Sequence, residues 1–485
     1  MNEVLAHTDL PQTDVIELYN PTDGDVDIGG WFLTDDKNDP TKFTIPAGTI
    51  IPAQGFWAVN EDNDANPGVA PANYFGNAFQ ISSRGDDTFL YSADAGGNLT
   101  GYRHGWSFRA TVNGSAANGD QTLGRYVDSL GRGHFTKQVR SVDVNRFTPN
   151  PQGAANNPPL VGPVVFTEIY AEPAPGGVEF IELKNITDQT IALYDTISGG
   201  NSNNNWSLDG VTFTYPGVRP TLPPGAVVVI LPLNTNVESF RLSYNVPDDP
   251  NVIVIGAGDG YLGALNNGGE ELALLRPDKP DQVNGATIVP LILVDLVNYN
   301  DAPEWPSTEA GLSLEKIAVD GFSDDPIHWR ASAAADGTPG VVPDPVDFSY
   351  DGWAADNFTA AELANPAISD CDGDVNGDGV ANIYAYAFGY DPHITPAGDL
   401  LPQGAMVADS GSSYLAINFR QRILAPDLTY EIESSTDLST WSVIPGQQIG
   451  EAVDNGDGTQ TVQFRTTVPT SAGDRMFMRV RITKI

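Results

Sequence analysis

The heptapeptide Asp14-Val15-Ile16-Glu17-Leu18-Tyr19-Asn20 decides the fold, because the chain repeats it as Glu179-Phe180-Ile181-Glu182-Leu183-Lys184-Asn185, 165 residues later. Each copy is a short run rich in β-branched and aromatic residues that ends in Asn, which is typical of a short strand followed by a turn. Further matches occur in the same order along the chain, which predicts a single duplicated domain. They pair 2–6 with 167–171, 31–33 with 206–208, 43–46 with 213–216, 51–55 with 222–225, and 85–90 with 269–274.

Short segments of β-branched and aromatic residues, bounded by Gly, Pro, Asn or Asp, follow one another through both copies. Helical periodicity is almost absent there. Many short strands separated by turns predict an all-β fold in which each copy is an antiparallel β-sandwich. The second copy is longer, and we expect its extra residues to form loops between Leu193 and Trp206 and between Pro232 and Leu265.

Stretches rich in Pro, Gly and Asn mark the boundaries between domains. After the second such stretch, Thr359 and Glu362 have the spacing of a capping box that opens a short helix, and Gly389 ends another helix. Strands return from about residue 411 and predict a small C-terminal sandwich. The predicted order is a first sandwich (1–150), a linker (151–162), a second sandwich (163–341), a linker (342–350), a helix–loop–helix segment (351–395) and a C-terminal sandwich (396–485).

Composition excludes several classes of partner. The formal net charge of −39 repels phosphate backbones and anionic lipid surfaces, so we expect no nucleic-acid partner and no membrane insertion. The single cysteine, Cys371, excludes an intrachain disulfide framework. Low Lys with high Asp, Asn, Gly and Thr favours an exported bacterial protein, secreted or displayed on the cell surface. Because Met1 runs directly into Asn2-Glu3-Val4-Leu5, which is already predicted to be the first strand, we expect a chain from which a leader, and further sequence, has been removed.

The repeated strands resemble lamin tail domains. The resemblance rests on the Asn/Thr-Glu-Val/Ile opening, the Ile-Glu-Leu-x-Asn strand, the Trp-x-Leu strand and the ending Gly337-Thr338-Pro339-Gly340. It implies tandem immunoglobulin-like sandwiches of the kind found in secreted proteins of Verrucomicrobia and Planctomycetes. Residues 351–485 resemble the ends of those proteins, where an Asp-rich calcium-type loop precedes a final sandwich with a strand like 430–438.

The loop 370–382 carries the sharpest chemical signal, because calcium takes six to eight oxygen ligands and Asp-x-Asn-x-Asp-Gly supplies them from alternate positions. The resemblance implies that the ligands come from the first, third, fifth, seventh and ninth positions of the loop. The twelfth position normally holds a bidentate acid, but here it is Ala385, and Asp370 and Asp372 are candidates to replace that acid. We therefore predict a weak Ca²⁺ site, with a solvated acidic turn as the alternative. The ligands implied are Asp374, Asn376, Asp378, the carbonyl of Val380, and Asn382.

Three pairs of acids recur in the two copies: Glu3 and Glu168, Asp14 and Glu179, and Glu17 and Glu182. They are interpreted as outward-facing strand residues that discourage edge pairing, with a cation or catalytic-water site as the alternative. Three tryptophans, Trp305, Trp329 and Trp353, are candidates for stacking on sugars, although Trp329 is better interpreted as a core residue.

No nucleophile elbow, zinc-binding helix motif, phosphate-binding loop or Cys–His pair occurs in the sequence. We therefore predict a secreted, non-catalytic surface protein with an adhesive or structural role, stabilised by calcium. Its expected partners are an extracellular glycan, a cell-surface component or a second copy of itself. The alternatives are a glycan-binding accessory part of a polysaccharide-degrading enzyme and a carboxylate-dependent hydrolase.

Overall fold

The computed structural model describes residues 1–8, 13–61, 74–76, 78–112, 121–139, 156–194, 205–214, 221–302, 304–308, 311–342, 348–409, 412–425, 427–444, 447–449, 452–455, 458–470 and 475–484. It divides the chain into two compact units. The first unit is Met1–Asp128 with Arg132–Pro343, and the second is Asp344–Ile485 with Ser129–Gly131. Both predicted copies lie in the first unit. No helix of the described ranges has the length and apolar character needed to cross a membrane.

The first copy is built from three sheets, ordered β11-β10-β1-β2-β7, β5-β4-β8-β9 and β3-β6. Its strand Val15–Tyr19 has the bounds that the sequence predicts. The strands are β1 (Glu3–Leu5), β2 (Val15–Tyr19), β3 (Val26–Asp27), β4 (Phe32–Thr34), β5 (Phe43–Thr44), β6 (Ile50–Ile51), β7 (Phe56–Asn60), β8 (Gly85–Ala93), β9 (Leu99–Arg109), β10 (Gln121–Val127) and β11 (Gly133–Val139).

The second copy has three corresponding sheets, ordered β19-β18-β13-β12-β24-β25, β16-β15-β20-β23 and β14-β17, and a separate hairpin, β21-β22. Its elements are β12 (Val164–Tyr170), β13 (Phe180–Asn185), β14 (Ile191–Ala192), β15 (Ser207–Asp209), β16 (Phe213–Thr214), β17 (Thr221–Leu222), β18 (Val227–Ile230), α1 (Val237–Ser243), β19 (Val252–Ile255), β20 (Gly269–Pro277), β21 (Asp281–Val283), β22 (Ala286–Ile288), β23 (Leu291–Asn300), β24 (Leu314–Lys316), a 3₁₀ turn (Pro326–His328) and β25 (Trp329–Ala331).

The two copies share their topology. In each, the strand that carries the repeated heptapeptide lies between the opening strand and a third strand, and the register places Glu3 opposite Glu17 and Glu168 opposite Glu182. The all-β class and the duplication are thereby confirmed. The expectation of a loop between Pro232 and Leu265 is wrong, because this insertion contains α1 and also β19, which pairs in parallel with β18. Most of the other expected insertion lies outside the described residues.

The asparagine that ends the repeated strand holds the turn after it. The side chain of Asn185 donates to the carbonyls of Gln189, Leu222 and Pro223 at 2.7–3.0 Å and accepts from the backbone and hydroxyl of Thr187. Asn20 makes the same five bonds in the first copy, including both bonds from Thr22. Because both the C=O and the NH₂ group of this buried side-chain amide are hydrogen-bonded, the asparagine fixes the turn and the strand that follows.

The second unit consists of short helices followed by two sheets, β26-β27-β32-β30 and β29-β28-β33, with β31 paired to β32. The capping box at Thr359 and the left-handed cap at Gly389 are confirmed. The elements are α2 (Tyr350–Asn357), α3 (Ala360–Leu363), α4 (Pro366–Ser369), α5 (Asn382–Phe388), a 3₁₀ turn (Gly398–Leu400), β26 (Gln403–Asp409), β27 (Ser412–Arg422), β28 (Leu428–Ser435), β29 (Ser442–Val443), β30 (Gln447–Gln448), β31 (Val453–Asp454), β32 (Thr459–Arg465) and β33 (Phe477–Lys484).

Candidate functional site

The aspartate loop forms a tight turn between α4 and α5. The carboxylate of Asp374 accepts three backbone N–H groups of the turn, at 2.7–3.2 Å, including that of Gly379. Asp378 accepts the N–H of Val380 at 2.9 Å and a side-chain bond from Asn376 at 3.1 Å. The first, third and fifth positions of the predicted site are therefore held together by hydrogen bonds within the turn.

The remaining predicted ligands lie apart from this turn or are already engaged. Asn382 is only 2 % exposed, and its side-chain N–H groups donate to two carbonyls of the preceding segment at 2.6 and 2.9 Å. Asp370 and Asp372 are exposed. These contacts fix the start of α5, so Asn382 has a structural role whether or not an ion binds.

The residues fit a calcium ion in part. Ala385, at the position of the bidentate acid, is 2 % exposed and belongs to an apolar cluster with Trp353 and Tyr386. Among the residues that the structure describes, no group of three or more His, Cys, Asp or Glu side chains is arranged to hold a metal ion. Asp374, Asn376 and Asp378 would hold the ion, and the deficit at the twelfth position makes the expected affinity low.

Millimolar Ca²⁺ is expected to raise the Tm of the chain. With a Kd on the order of 10⁻⁴–10⁻³ M, about 10 mM Ca²⁺ adds about 1–3 kcal/mol to the free energy of unfolding by linkage. Differential scanning calorimetry with Ca²⁺ and with EDTA measures the shift. Asp378→Ala should abolish the response, and Asp356→Ala, at an exposed acid outside the predicted ligand set, should retain it. A Tm that is indifferent to both Ca²⁺ and EDTA would identify the loop as a solvated acidic turn.

Five of the six repeated acids are buried, and their interpretation as outward-facing residues is wrong. Glu3, Glu168 and Glu182 are at most 1 % exposed, and Asp14 and Glu17 are 5 % exposed. The sixth, Glu179, is half-buried and accepts bonds from the Tyr261 hydroxyl and the Leu265 N–H.

The glutamates of the repeated strands lie on the face of the sheet away from the main core. Glu17 and Glu182 directly follow Ile16 and Ile181, and neighbouring strand positions alternate between faces. Glu3 and Glu168 pair with Glu17 and Glu182 and share their face. In the second copy the chain folds back over this face and covers it.

The turn after the second copy supplies the cover. Glu168 accepts the N–H of Thr338 at 2.7 Å and the hydroxyl of Ser313 at 2.5 Å. Glu182 accepts the N–H of Gly340 at 2.6 Å and the hydroxyl of Thr167 at 2.7 Å. Burial raises the pKa of Glu182 to about 7, and burial with repulsion from Glu182 raises the pKa of Glu168.

The first copy has a similar arrangement with different donors. Glu17 accepts the side-chain N–H of Asn2 at 2.8 Å, and Glu3 accepts the hydroxyl of Thr122 at 2.5 Å. Burial raises the pKa values of Glu17 and Asp14 to about 7. The acids therefore accept hydrogen bonds from neighbouring strands of their own sheet and, in the second copy, from the 338–340 turn that covers it. This structural role accounts for their presence in both copies.

The predicted tryptophan platforms are buried. Trp305 is 2 % exposed, Trp329 3 % and Trp353 8 %. The indole of Trp329 donates to the carbonyl of Ser323 at 2.8 Å and its ring lies 6.2 Å from that of Trp305. The interpretation of Trp329 as a core residue is confirmed, and none of the three presents a face on which a sugar can stack.

The two copies meet in a charged junction that the sequence does not reveal. The ring of His134 contacts Asp128 of the first copy at 2.8 Å and Asp324 of the second at 3.3 Å. Burial alone would lower the pKa of His134, but hydrogen bonds to both carboxylates raise it to about 9. Arg132 adds an ion pair to Asp128 and a bond to the carbonyl of Asp324.

Strands of the two copies also meet at one sheet edge. A parallel bridge joins Ala110, just after β9, to Ile292 in β23. Beside it, the guanidinium of Arg109 lies 2.8 Å from Asp209 and 3.2 Å from Glu271. Backbone and charged contacts together join the two sandwiches within the first unit.

This fold and these contacts define a class: an all-β protein of tandem immunoglobulin-like sandwiches joined side by side. The family model of the Lamin Tail Domain matches residues 1–107, which lie in the first copy. The match indicates a non-enzymatic, structural or interaction domain in this part of the chain. Neither the curated proteins nor the solved structures contain a significant match to the chain.

Proposed function

We propose that the chain is a secreted, non-catalytic surface protein of bacterial origin with an adhesive or structural role. The observation that carries the proposal is that the polar residues common to both copies hold the fold. Asn20 and Asn185 close turns, and the buried acids accept bonds from covering segments. Such use of the repeated carboxylates supports a structural module and disfavours a hydrolase.

The junction supports a spacer role. A histidine between two carboxylates, an arginine paired with two acids and a backbone bridge connect the sandwiches. In the second unit, a weak Ca²⁺ site at Asp374 and Asp378 would stabilise the turn between α4 and α5 in a calcium-rich extracellular medium. Extracellular function, calcium and self-association are parts of this proposal.

A groove on the first copy favours glycan binding as a second candidate function. It encloses about 540 Å³ and is lined by the aromatic rings of Tyr19, Phe56 and Tyr126 with several amide side chains, among them Gln54 and Asn156. The rings of Tyr19 and Phe56 lie 4.7 Å apart. Aromatic faces beside amide donors and acceptors suit a neutral oligosaccharide, whose rings stack and whose hydroxyls take hydrogen bonds.

Binding without turnover is the expected result when the protein is applied to an array of extracellular polysaccharides and oligosaccharides. Each position is read for bound protein and for released product. Tyr19→Ala is expected to weaken glycan binding at least about tenfold because it removes one aromatic face of the groove. Tyr102→Ala, which alters a tyrosine that is 52 % exposed elsewhere on the first copy, should leave binding unchanged.

Product release that is lost in Glu17→Gln or Glu182→Gln would overturn the non-catalytic proposal. Binding that is unchanged in Tyr19→Ala would remove the groove as the glycan site. Adhesion to cell surfaces without binding to any glycan would favour a protein partner or a second copy of the chain.

A further inference from the structure

A cavity of about 300 Å³ lies in the first unit where the first sandwich meets β23 of the second copy. One wall is formed by residues around the end of β9, the opposite wall by β10 and β11, and a third by residues of β23. In the second copy, β23 contacts β12 through a hydrogen bond, in which Asp295 of β23 accepts the N–H of Phe166 of β12 at 2.9 Å. The strand of the first copy that corresponds to β23 is β9, and β9 borders the cavity.

Most of the lining is apolar. Side chains of both sheets of the first copy contribute, with Val161 from the segment before β12 and Phe322 from the second copy. Small-molecule sites in proteins are partly enclosed spaces lined mainly by apolar side chains with a few polar groups, and this cavity has those properties. The other apolar lining residues include Val4, Phe108, Leu123, Phe135, Ile292 and Val294.

The Lys137 ammonium is one of the charged groups of the wall, together with Arg109, Glu271 and Asp295. The Nζ of Lys137 donates to the carbonyls of Gly162 and Val294 at 2.7 and 2.6 Å. An ammonium has three N–H donors, so one remains for a further acceptor. Burial lowers the pKa of Lys137 to about 8, which leaves the ammonium form predominant at neutral pH.

A second lysine shares the carboxylate nearest to Lys137. Asp295 attracts both the Lys137 and the Lys316 ammonium, and Asp320 also attracts that of Lys316. One oxygen of the Asp295 carboxylate already accepts the Phe166 N–H and the Ser323 hydroxyl. The Lys137 ammonium therefore shares its acidic neighbour with another cation and keeps a donor for a further anionic acceptor.

We propose that this cavity binds a small aromatic or branched organic acid, with its apolar body against the lining and its carboxylate on the Lys137 ammonium. The volume is about ten times the ~30 Å³ share of a liquid water molecule, which suits a two-ring compound. The carboxylate of the ligand accepts the third N–H of the Lys137 ammonium and gives this cation an anionic partner that it does not share with Lys316. This site is separate from the surface groove and adds a small-molecule ligand to the proposed structural role.

Isothermal titration of the full chain with naphthoate tests the proposal, and naphthamide serves as its uncharged counterpart. The wild-type protein should bind naphthoate at a single site. Lys137→Met, which keeps the length of the side chain and removes the charge, should weaken naphthoate binding at least about tenfold and change naphthamide binding little. Lys279→Met, at an exposed lysine, should bind naphthoate like the wild type.

Val161→Trp provides a second, steric test, because a half-buried wall residue that gains a large ring should occupy the cavity. This variant should lose both ligands while keeping the wild-type circular dichroism spectrum. Absence of naphthoate binding to the wild type, or equal binding by Lys137→Met or Val161→Trp, would overturn the proposal and leave a water-filled cavity.

Discussion

Asp295→Ala is expected to lower the free energy of unfolding of the first unit by about 3–5 kcal/mol, because removing one member of a buried charge network leaves uncompensated charge. Asp295 is 7 % exposed and accepts hydrogen bonds from the Phe166 N–H and the Ser323 hydroxyl at 2.9 and 2.7 Å. Lys316, which is fully buried, donates to the same hydroxyl at 2.6 Å.

Burial disfavours the charged form of both lysines near Asp295. Desolvation lowers the pKa values of Lys137 and Lys316 to about 8, and the attraction of Asp295 opposes that shift. Without the Asp295 carboxylate, Lys137 loses the attraction that opposes its desolvation and Lys316 keeps only the weaker attraction of Asp320. Each ammonium must then lose its proton or remain charged at a higher cost, and either outcome destabilises the folded state.

Urea unfolding followed by tryptophan fluorescence measures the change. Asp248→Ala, at an exposed acid, is the control and should stay within about 0.5 kcal/mol of the wild type. Combining Asp295→Ala with Lys316→Met should recover part of the loss, because the second change removes one of the stranded cations. A loss below about 1 kcal/mol in Asp295→Ala would show that the carboxylate does not balance these lysines.

Local patterns predict the strands and their order well. Short runs of β-branched and aromatic residues that end in Asn locate β2 and β13, and the recurrence at a fixed offset locates their neighbours. The capping box at Thr359 and the cap at Gly389 are equally local, since each depends on a few adjacent residues. Each of these predictions depends only on residues within the segment that it concerns.

The burial of the repeated acids depends on distant residues and is invisible to such patterns. An acid at alternate strand positions looks solvent-facing until a covering segment is known, and the cover of Glu182 is Gly340, 158 residues away in the sequence. The Asp295 network likewise joins residues from three segments. Helix α1 has seven residues and a single buried one, Phe240, which is too little for a helical period to register.

The aspartate loop depends partly on local residues and partly on distant packing. The conformation of the loop is local, because the side chains of Asp374, Asn376 and Asp378 bond to the backbone of the same turn. Whether these residues bind Ca²⁺ stays a prediction. The burial of Ala385 among aromatic residues depends on the packing of α2 against α5 and is not contained in the loop. Sequence therefore specifies the loop's conformation more directly than its affinity for a metal ion.

Glu182→Gln is expected to stabilise the protein at pH 8 and to have a much smaller effect at pH 5. Burial raises the pKa of Glu182 to about 7, against an ordinary value of 4.5. Between these two values the unfolded chain releases the proton while the folded chain keeps it, so the contribution of this group to stability falls as pH rises through this window. Above pH 7 the full cost is present, roughly 3 kcal/mol.

Glutamine removes that cost and keeps the hydrogen bonds, because its carbonyl can accept the Gly340 N–H and its amide can donate to the hydroxyl of Thr167. It also removes the repulsion that helps to raise the pKa of Glu168, which stabilises the high-pH state further. The gain over the wild type should therefore grow by about 2–3 kcal/mol between pH 5 and pH 8.

Urea midpoints at both pH values for the wild type, Glu182→Gln and the exposed control Glu304→Gln measure this difference. Repulsion among the other acids also weakens the fold as pH rises, but that effect is common to all three proteins and cancels in the comparison. The control should follow the wild type at both pH values. A Glu182→Gln variant that is less stable than the wild type at pH 8 would mean that the charged carboxylate stabilises the Gly340 turn by more than its burial costs.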